Sequence, residues 1–434
     1  MPRLRSGRAE APDTSVEASR NFLESVLADY RPRDFAVRLW DGREWRPETD
    51  RPDFTIVVRH PAALRAFLGR SERALAEAYL HDDLEIEGDV YAAIAAADHL
   101  LVERDWSRRE RLRQAARLFS LPAKGSGAGN GHPPARLRGS RFSLARDRDA
   151  VTYHYDRSNE FFALWLDQRM TYSCAYWERP DETLERAQER KLDLICCKLR
   201  LRPGERVLDI GCGWGSFVLY AAERYGAEVV GVTPSENQAE VARERIRAAG
   251  LQDRCRIEVR DYRELDEPAG FDKIASIGMF EHVAAAVLPD YFERVYALLR
   301  PRGALLNQGI ARPIDRKERT GASFLTAYVY PDAELSPIST ALRAAESAGF
   351  EIQDVESMRE HYPLTLREWV RRLETAHDEA VRQVGEETYR VFRLYLAGSA
   401  RGFETARISV FQSLLVKPAG GVSGLPLTRE DWYR

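Results

Sequence analysis

The stretch E-R-V-L-D-I-G-C-G-W-G-S at residues 205–216 predicts how most of the chain folds. It begins with a short apolar run that follows a Pro-Gly pair and precedes a group of glycines, which is typical of a buried parallel strand. Glycines allow the backbone to turn sharply and to approach a ligand closely; the three are Gly211, Gly213 and Gly215. The apolar-faced stretch 217–225 then predicts a helix whose N-terminal N–H groups point back at the turn. A strand, a glycine turn and a helix in this order indicate a nucleotide-cofactor site.

An alternation of strands and helices continues beyond this stretch to residue 416. Strands are predicted at 205–211, 228–233, 255–261, 273–277, 303–307, 351–355 and 408–416, and helices at 215–225, 235–249, 287–299 and 339–348. This alternation is typical of a doubly wound α/β sheet, which binds ligands at the carboxyl ends of its strands. A long helical segment, 363–395, precedes the last strand and is predicted to cover this end of the sheet as a cap.

The residues before this alternation predict a second, smaller domain. Residues 1–20 are polar and aperiodic, and we expect a disordered tail there. Residues 21–120 predict an α+β domain with a helix at 21–30, a hairpin at the Asp41-Gly42 turn, a strand at 53–59 and helices at 61–70, 71–80 and 88–105. Such a domain serves either to stabilise the protein or to contact lipid and membrane.

Residues 121–150 are predicted to form a flexible, basic linker. Its first part, 122–131, is rich in glycine and serine, and arginines crowd the flanking ranges 108–117 and 136–148. A run of charge is most often solvated surface. The alternative is attraction to an anionic membrane surface, which gains about 1 kcal/mol per basic residue. The α/β domain is then predicted at 151–420, followed by a C-terminal tail at 421–434.

The composition excludes several classes of protein. The chain has 434 residues and a net charge of −3, which argues against nucleic acid as a partner. Five cysteines without paired or His-rich spacing predict neither a disulfide framework nor a metal site. The N-terminus lacks the apolar segment of a signal peptide, and no apolar run approaches the ~18 residues of a membrane span. We therefore expect a cytoplasmic protein that reaches any lipid substrate from the membrane surface.

Two departures from the dinucleotide pattern point away from a nicotinamide cofactor. The second strand ends in Thr233, where a nicotinamide enzyme uses an acidic residue to hold the ribose, and the turn lacks the third glycine of G-x-G-x-x-G. Asp209, directly before the turn, suits the amino-acid end of a sulfonium cofactor. Asp261 and Tyr262, after the third strand, offer a hydrogen-bond acceptor and an aromatic face for an adenine.

Five motifs resemble those of the cyclopropane-fatty-acyl-phospholipid synthases, S-adenosylmethionine enzymes related to the mycolic acid cyclopropane synthases. The motifs are D-I-G-C-G-W-G, V-T-P-S-E-N-Q, G-M-F-E-H-V (278–283), Y-H-Y-D (153–156) and M-T-Y-S-C-A-Y-W (170–177). The resemblance covers 150–418 and extends more weakly into 35–105. It implies a Rossmann-like, class I methyltransferase fold with a seven-stranded sheet and a helical cap. It also makes a homodimer formed through the N-terminal domain plausible.

The resemblance implies a cofactor role for a set of residues, position by position. Those near the methionine end of S-adenosylmethionine are Tyr155, Tyr172 and Ser173, with Gly211 and Gly213 beneath it. Those near the ribose are Thr233, Pro234 and Gln238, and those near the adenine are Asp261 and Tyr262.

The resemblance also implies a set of catalytic residues. In that family a bicarbonate ion lies beside the sulfonium methyl group and acts as the base, and Cys174, Glu281 and Tyr362 match three of its neighbours. Glu356 matches a further active-site carboxylate, although its spacing to Tyr362 differs from the commoner form. Asn307 stands where the family has a histidine that holds the bicarbonate. Asparagine donates a hydrogen bond but carries no positive charge.

Methylation of an alkene creates a carbocation, which requires a dry site lined by negative or π-rich groups, and a base that removes a proton. Glu281 and Tyr362 suit the first task. The predicted reaction is methyl transfer to the cis double bond of an unsaturated acyl chain of a phospholipid, with a cyclopropane as product. Alternatives are a methylene- or methyl-branched product, a small-molecule C-methyltransferase and a non-catalytic lipid-binding protein. Structural roles also remain open for Cys174, as a small buried hydrophobe, and for the Glu281-His282 pair.

Overall fold

The computed structural model describes residues 14–433 apart from 69–70, 104–106, 119–120, 122–124, 126–131, 156 and 316–322. The first 13 residues of the predicted tail (1–20), most of the glycine-rich part 122–131 of the predicted linker (121–150) and the last residue of Y-H-Y-D lie outside the described residues. The chain forms two compact units, residues 1–132 and 133–434. In the described part of the chain, every helix is too short or too polar to cross a lipid bilayer.

The first unit is an α+β domain with a four-stranded sheet. Its elements are α1 (Thr14–Val26), β1 (Phe35–Arg38), β2 (Glu44–Trp45), β3 (Phe54–Val58), α2 (Glu72–Leu80), β4 (Leu84–Gly88), α3 (Val90–Asp98) and α4 (Arg108–Arg117), with a 3₁₀ turn at Pro61–Phe67 and a π turn at His99–Glu103. The sheet order is β2-β1-β3-β4. The predicted hairpin is confirmed, because β1 and β2 pair antiparallel across the Asp-Gly turn.

One helix boundary and one strand in this unit differ from the prediction. Helix α1 begins at Thr14, inside the range predicted to be a disordered tail, because Val16 packs into the core of the unit at 2% exposure. Strand β4 was not predicted. It is five residues long and alternates Leu84 and Ile86 with glutamates, so its apolar signal is too brief to distinguish it from a loop.

The second unit is a doubly wound sheet with helices on both faces. Its elements are α5 (Leu144–Tyr155), α6 (Asn159–Ala163), α7 (Leu184–Leu199), β5 (Arg206–Ile210), α8 (Ser216–Tyr225), β6 (Glu228–Thr233), α9 (Glu236–Ala248), β7 (Cys255–Val259), β8 (Phe271–Ile277), α10 (Leu288–Leu298), β9 (Leu299–Ala311), α11 (Phe324–Tyr328), α12 (Ile338–Ser347), β10 (Glu351–Ser357), α13 (His361–Thr375), α14 (His377–Val384), α15 (Glu386–Glu404) and β11 (Ser409–Val416). This confirms the predicted seven-stranded α/β sheet, in the order β10-β11-β9-β8-β5-β6-β7.

The strand order places a ligand site at the end of β5. Strands β5 to β9 pair parallel, and β11 inserts antiparallel between β9 and β10. β5 pairs with β6 on one side and with β8 on the other, so the connections leave β5 in opposite directions. A crevice forms at the carboxyl ends of the strands where the order reverses in this way. The glycine turn predicted from the sequence follows β5 directly.

Three segments of this unit are more ordered than the sequence indicated. Helix α5 begins at Leu144, within the predicted linker, and its Arg146 pairs with Asp332. The predicted C-terminal tail folds back, so that Trp432 is only 4% exposed and packs against the core. Strand β9 extends from residue 299 to 311, although the sequence predicts only 303–307. Proline and glycine are unfavourable inside strands, so the stretch L-R-P-R-G does not predict the first residues of β9.

Candidate active site

The glycine turn after β5 has a backbone that other residues rarely adopt. Gly211, Gly213 and Gly215 have φ angles of +79°, +52° and +79°. A Cβ on Gly211 would lie 3.2 Å from the side chain of Met279, so this glycine permits a close approach as well as a turn. Gly215 has a different role: a Cβ there would lie 3.1 Å from that of Ala242 on α9, so it allows two helices to pack closely.

A cavity opens at this turn and contains eleven of the twelve residues predicted to bind the cofactor. They are Tyr155, Tyr172, Ser173, Asp209, Gly211, Gly213, Thr233, Pro234, Gln238, Asp261 and Tyr262. Gly215 is the exception and does not line the cavity. Phe142 and Asp147 also line it, although both lie in the range predicted to be a linker. The cavity therefore combines polar groups with an aromatic face.

Hydrogen bonds fix the segment after β6. The Thr233 hydroxyl donates to Oε1 of Gln238 over 2.8 Å, and both side chains are buried. The hydroxyl of Ser235 accepts the N–H of Gln238 over 3.3 Å and so caps α9. The motif V-T-P-S-E-N-Q is thus a strand end, a turn and a capped helix whose polar side chains are held in place beside the cavity.

Side chains on α7 and α13 hold the loop 170–177 against the sheet. Gln188 donates from Nε2 to the carbonyl oxygens of Thr171 and Ser173, over 3.2 and 2.8 Å. Lys191 donates from Nζ to Oγ of Ser173 over 3.0 Å. On the other side, Oγ1 of Thr365 accepts the N–H of Ala175 over 3.2 Å. This loop carries three predicted residues, and α7 fixes their positions.

Three tyrosine hydroxyls meet close to the cavity. The oxygen of Tyr330 lies 3.0 Å from that of Tyr395 and 3.4 Å from that of Tyr172. His154 extends the cluster: its Nδ1 lies 3.2 Å from the carbonyl oxygen of Val329 and its Nε2 lies 3.2 Å from the Tyr172 hydroxyl. A carbonyl only accepts, so Nδ1 carries a proton and donates to Val329. His154 is therefore a buried support for Tyr172.

Aromatic rings surround this hydroxyl cluster. The ring centroid of Tyr172 lies 5.3 Å from that of Trp369 and 6.1 Å from that of Tyr155. The Tyr362 centroid lies 4.5 Å from that of Phe403 and 6.2 Å from that of Trp369. Burial raises the pKa of each of these tyrosines, so their hydroxyls stay neutral. Such an environment is apolar, yet its π-faces attract a cation.

Glu281 places a carboxylate at the edge of this aromatic region. Desolvation raises its pKa to about 7, against the N–H groups of Glu281 and Ile310, which lower it. Among the described residues, its Oε2 is buried and has no hydrogen-bond partner. The charge of Glu281 also raises the pKa values of Tyr155, Tyr362 and Tyr395, so these groups are electrostatically coupled. A buried carboxyl with one unpartnered oxygen and a pKa near neutral is suited to exchange a proton or to stabilise a cation.

Cys174 belongs to the same region but is not a nucleophile. Its side chain is fully buried and its Sγ lies 3.8 Å from the carbonyl oxygen of Met358. Desolvation raises the pKa of the thiol, which therefore stays protonated. The charge of Cys174 in its ionised form would still act on Tyr362, which places the two side chains near each other.

The other two predicted catalytic residues are held by a hydrogen bond and by an ion pair. Asn307 accepts a hydrogen bond from the Tyr291 hydroxyl over 3.0 Å, in the core between the sheet and α10. Glu356 forms an ion pair with buried Lys198, which also donates to Gln412 over 2.8 Å. Gln412 in turn donates to Gln308 over 2.9 Å. Neither Asn307 nor Glu356 lines the cavity. The charge of Glu281 raises the pKa of Tyr291, the hydrogen-bond partner of Asn307, which places Asn307 near Glu281.

Four residues of this site were not singled out from the sequence: Lys191, Tyr330, Tyr395 and Met279. A lysine in the stretch E-R-K-L-D has the ordinary signal of an exposed helix, and only the periodicity of α7 indicates its burial. The two tyrosines lie more than 150 residues from Tyr172 and have no local signature. Their contacts depend on how the cap segment 361–404 folds over the sheet.

The fold and the glycine turn define the class of protein. A seven-stranded sheet of this order, with a cavity at the end of β5, is that of a class I S-adenosylmethionine-dependent methyltransferase. The family model "Mycolic acid cyclopropane synthetase" matches residues 142–413, and a domain of unknown function, DUF7884, matches residues 22–100. The chain belongs to the mycolic acid cyclopropane synthetase family, and is an S-adenosylmethionine-dependent methyltransferase.

Individual relatives agree with this family. A probable fatty acid methyltransferase of Pseudomonas putida is 40% identical over 402 residues, which cover 92% of this chain and 96% of that protein. Cyclopropane mycolic acid synthase 2 of Mycobacterium leprae is 38% identical, over 62% of this chain and 94% of that protein. The structure of the mycolic acid cyclopropane synthase CmaA1 with SAH and CTAB is 34% identical, with a TM-score of 0.59, over 62% of this chain and 97% of that one.

Proposed function

We propose that this enzyme transfers a methyl group from S-adenosylmethionine to the cis double bond of an unsaturated fatty acyl chain in a phospholipid, and that it forms a cyclopropane. The observation that carries the proposal is the buried, unpartnered Oε2 of Glu281 next to a group of tyrosine rings. A reaction that passes through a carbocation and then loses a proton uses both features. Fatty acid and mycolic acid are the substrates named for the relatives.

The residues of the cavity fit the cofactor. Asp209 and Ser173 suit an amino acid, the Thr233–Gln238 pair suits a ribose, and Asp261 with Tyr262 suits an adenine. When bound, the sulfonium supplies an electrophilic methyl group. The protein's own task is to hold the acyl double bond near this group and to exclude water, which the buried aromatic rings of Tyr172, Tyr362 and Trp369 accomplish.

Addition of a methyl group to one alkene carbon leaves a positive charge on the other. The aromatic region stabilises this charge through its π-faces, and the Glu281 carboxylate stabilises it through its negative charge. For ring closure, a C–H bond of the new methyl group breaks and its electron pair forms the third bond of the ring. The proton passes to the Glu281 carboxylate, which is suited to accept it because its pKa is about 7.

Bicarbonate, which the resemblance implies as the base, fits these residues poorly. The Oδ1 of Asn307 accepts from Tyr291, and the N–H of Ile310 already interacts with Glu281. Asn307 also lacks the positive charge that would hold an anion. For this chain we therefore assign the proton transfer to Glu281.

A second candidate product is a methylene-branched chain. A hydride shift between the two former alkene carbons, before the proton is lost, leaves an exocyclic double bond and consumes no further reagent. The 40% identical relative is named a fatty acid methyltransferase, without reference to cyclopropane, which favours keeping this candidate. Both products arise through the same base and differ in which carbon carries the charge at deprotonation.

The product and the substrate are tested together with purified protein and methyl-labelled S-adenosylmethionine. Substrates are unilamellar vesicles of dioleoyl phosphatidylglycerol or dioleoyl phosphatidylcholine, and free oleate. We expect a labelled gain of one CH₂ with loss of the alkene in the esterified chains. The same mass gain with an alkene retained would establish the methylene product, and labelling of free oleate alone would exclude the phospholipid substrate.

The two vesicle types also test a preference for an anionic surface, which we propose for α4. Leu112 on this helix is 72% exposed, and Arg109 and Arg113 beside it are exposed too. Exposed arginines next to an exposed leucine favour contact with an anionic bilayer. We expect faster labelling of phosphatidylglycerol than of phosphatidylcholine, and a difference that salt removes. Equal rates at all salt concentrations would contradict this role.

Substitution of Tyr362 separates the effect of its ring from that of its hydroxyl. Tyr362→Phe keeps the π-face, and we expect a kcat within about tenfold of wild type. Tyr362→Leu removes the π-face and should lower kcat by roughly thirtyfold, which corresponds to the ~2 kcal/mol of a desolvated cation–π contact. The measurement is single-turnover methyl transfer at saturating cofactor. Equal losses in both variants would show that the hydroxyl, not the ring, is required.

A further inference from the structure

We propose that Lys191 binds the carboxylate of the amino-acid end of the cofactor, and that it forms with Asp209 a receptor for that zwitterion. The proposal rests on the assignment of the cavity at the glycine turn to S-adenosylmethionine. It adds a binding residue that neither the motifs nor the glycine pattern indicates.

Lys191 belongs to α7, and its side chain forms part of the cavity wall. Its side chain is buried, with the residue 1% exposed, and lines the same cavity as Asp209, which is 2% exposed. Its Nζ donates to the hydroxyl of Ser173 over 3.0 Å. Since this hydroxyl oxygen already accepts from Nζ, its own hydrogen remains available to donate to a ligand.

The charges of Lys191 and Asp209 are placed so that a dipolar ligand can pair with both. Asp209 and Lys191 influence each other's pKa, yet among the described residues they form no direct ion pair. The other nearby carboxylate, Asp167, is already used: it accepts the N–H of Thr171 over 2.7 Å and that of Arg169 over 3.0 Å. Two opposite buried charges that interact without touching are both neutralised by a ligand that carries one charge of each sign.

The protonation states agree with a cavity that a ligand completes. Burial lowers the pKa of Lys191 to about 8, with Asp167 as the largest opposing influence, and burial raises the pKa of Asp209 to about 7. Buried charges are costly unless paired. An α-carboxylate next to Lys191 and an α-ammonium next to Asp209 would each stabilise the charged form of its protein partner. An uncharged ligand, or one with the ammonium alone, would leave Lys191 without this partner.

A purely structural role is the alternative, because the bond to Ser173 also anchors the loop 170–177. The two roles differ in their dependence on the ligand. Loss of an anchor weakens the binding of every ligand of the cavity equally. Loss of a carboxylate receptor weakens only the binding of ligands that possess the carboxylate.

Isothermal titration calorimetry distinguishes them with two ligands, S-adenosylhomocysteine and its decarboxylated analogue, and no turnover is needed. For the wild-type protein we expect the analogue to bind at least about 30-fold more weakly, in line with a charge-assisted hydrogen bond. For Lys191→Met we expect S-adenosylhomocysteine to lose about the same factor and the analogue to lose less than about threefold. Lys198→Met is the matched control, because Lys198 is also 1% exposed and on the same helix but pairs with Glu356 outside the cavity.

Each outcome is informative. Equal losses for both ligands in Lys191→Met, or no loss at all, would overturn the proposal while the cofactor assignment stands. Absence of S-adenosylhomocysteine binding to the wild-type protein would overturn the assignment of the cavity itself. If Lys191→Met does not fold, the affinities of the wild-type protein for the two ligands still test the proposal. Equal affinities would overturn it, because they would exclude any carboxylate receptor in this cavity.

Discussion

Replacement of Glu281 by glutamine is expected to lower kcat by at least about a thousandfold, and to leave the Kd for S-adenosylhomocysteine within about threefold of the wild-type value. The amide keeps the shape of the side chain but neither accepts the proton nor carries the charge that stabilises the cation. General base catalysis accounts for roughly 10²- to 10⁴-fold and electrostatic stabilisation adds to it. Cofactor affinity should persist because Glu281 does not line the cofactor cavity.

The pH dependence of the wild-type enzyme tests the same role without a substitution. The pKa of Glu281 is raised to about 7, so the fraction in the required carboxylate form falls with decreasing pH. We expect the single-turnover rate to fall about tenfold per pH unit below pH 7 and to level off above it. The residual rate of Glu281→Gln should lack this dependence.

Burial of Glu281 also affects stability, with a defined sign. A carboxyl whose pKa is raised in the folded protein favours folding when protonated, and that contribution is lost as the pH rises from the unfolded value towards about 7. Relative to wild type, Glu281→Gln should therefore gain stability between pH 5 and pH 7.5.

A control variant guards against a general effect of removing an acid. Glu360→Gln alters an exposed carboxylate, with 84% of its side chain accessible, immediately before α13. We expect kcat and Tm to stay close to wild type. Wild-type turnover in Glu281→Gln, or an equal loss in Glu360→Gln, would refute the role assigned to Glu281.

The cofactor half of the molecule was predictable because its signals are local. An apolar run, three glycines and an amphipathic helix are adjacent in sequence, and the register of β5 with β6 and β8 follows from their burial. The predicted boundaries of most of these elements lie within a few residues of the observed ones. The errors occurred where a local signal was weak, as in β4, or where proline and glycine interrupted a strand, as in β9.

The proposed catalytic region around Glu281 was less predictable because it is assembled from segments that are distant in sequence. Tyr172, Tyr330 and Tyr395 meet only after the cap folds, and nothing in the sequence near any one of them indicates the other two. Register on β9 is a second obstacle, because neighbouring side chains on a strand face opposite ways. The amide of Asn307 is bonded to Tyr291 of α10, and that of its neighbour Gln308 to Gln412 of β11. A resemblance matched residue by residue does not distinguish Asn307 from Gln308, although their side chains face opposite ways.

Gly309→Ala is expected to abolish most turnover although the added group is a single methyl. Gly309 lies on β9, and its backbone is not left-handed, so alanine is compatible with the backbone itself. A Cβ at this position would lie 2.6 Å from Oε2 of Glu281 and closer still to the ring of Phe280, which is 1% exposed. The glycine thus provides the space in which Phe280 and the Glu281 carboxylate lie against the strand.

The extra methyl group forces both side chains to move. Overpacking of a buried site costs about 1–3 kcal/mol, which corresponds to a Tm lower by several degrees in a domain of this size. Displacement of the Glu281 carboxylate by about 1 Å should lower kcat by roughly a hundredfold or more, since catalysis depends on alignment at that scale. Affinity for S-adenosylhomocysteine should change less than about fivefold, because Gly309 does not line the cavity.

Two further variants attribute the loss to steric displacement. Gly398→Ala on α15 adds the same methyl group where nothing lies within 4 Å of it, and we expect wild-type turnover with equal or higher stability. Phe280→Leu introduced into Gly309→Ala relieves part of the crowding and should restore part of the lost rate. A Gly309→Ala variant with wild-type kcat would show that the position of Glu281 tolerates such movement, which its proposed role as the base does not allow.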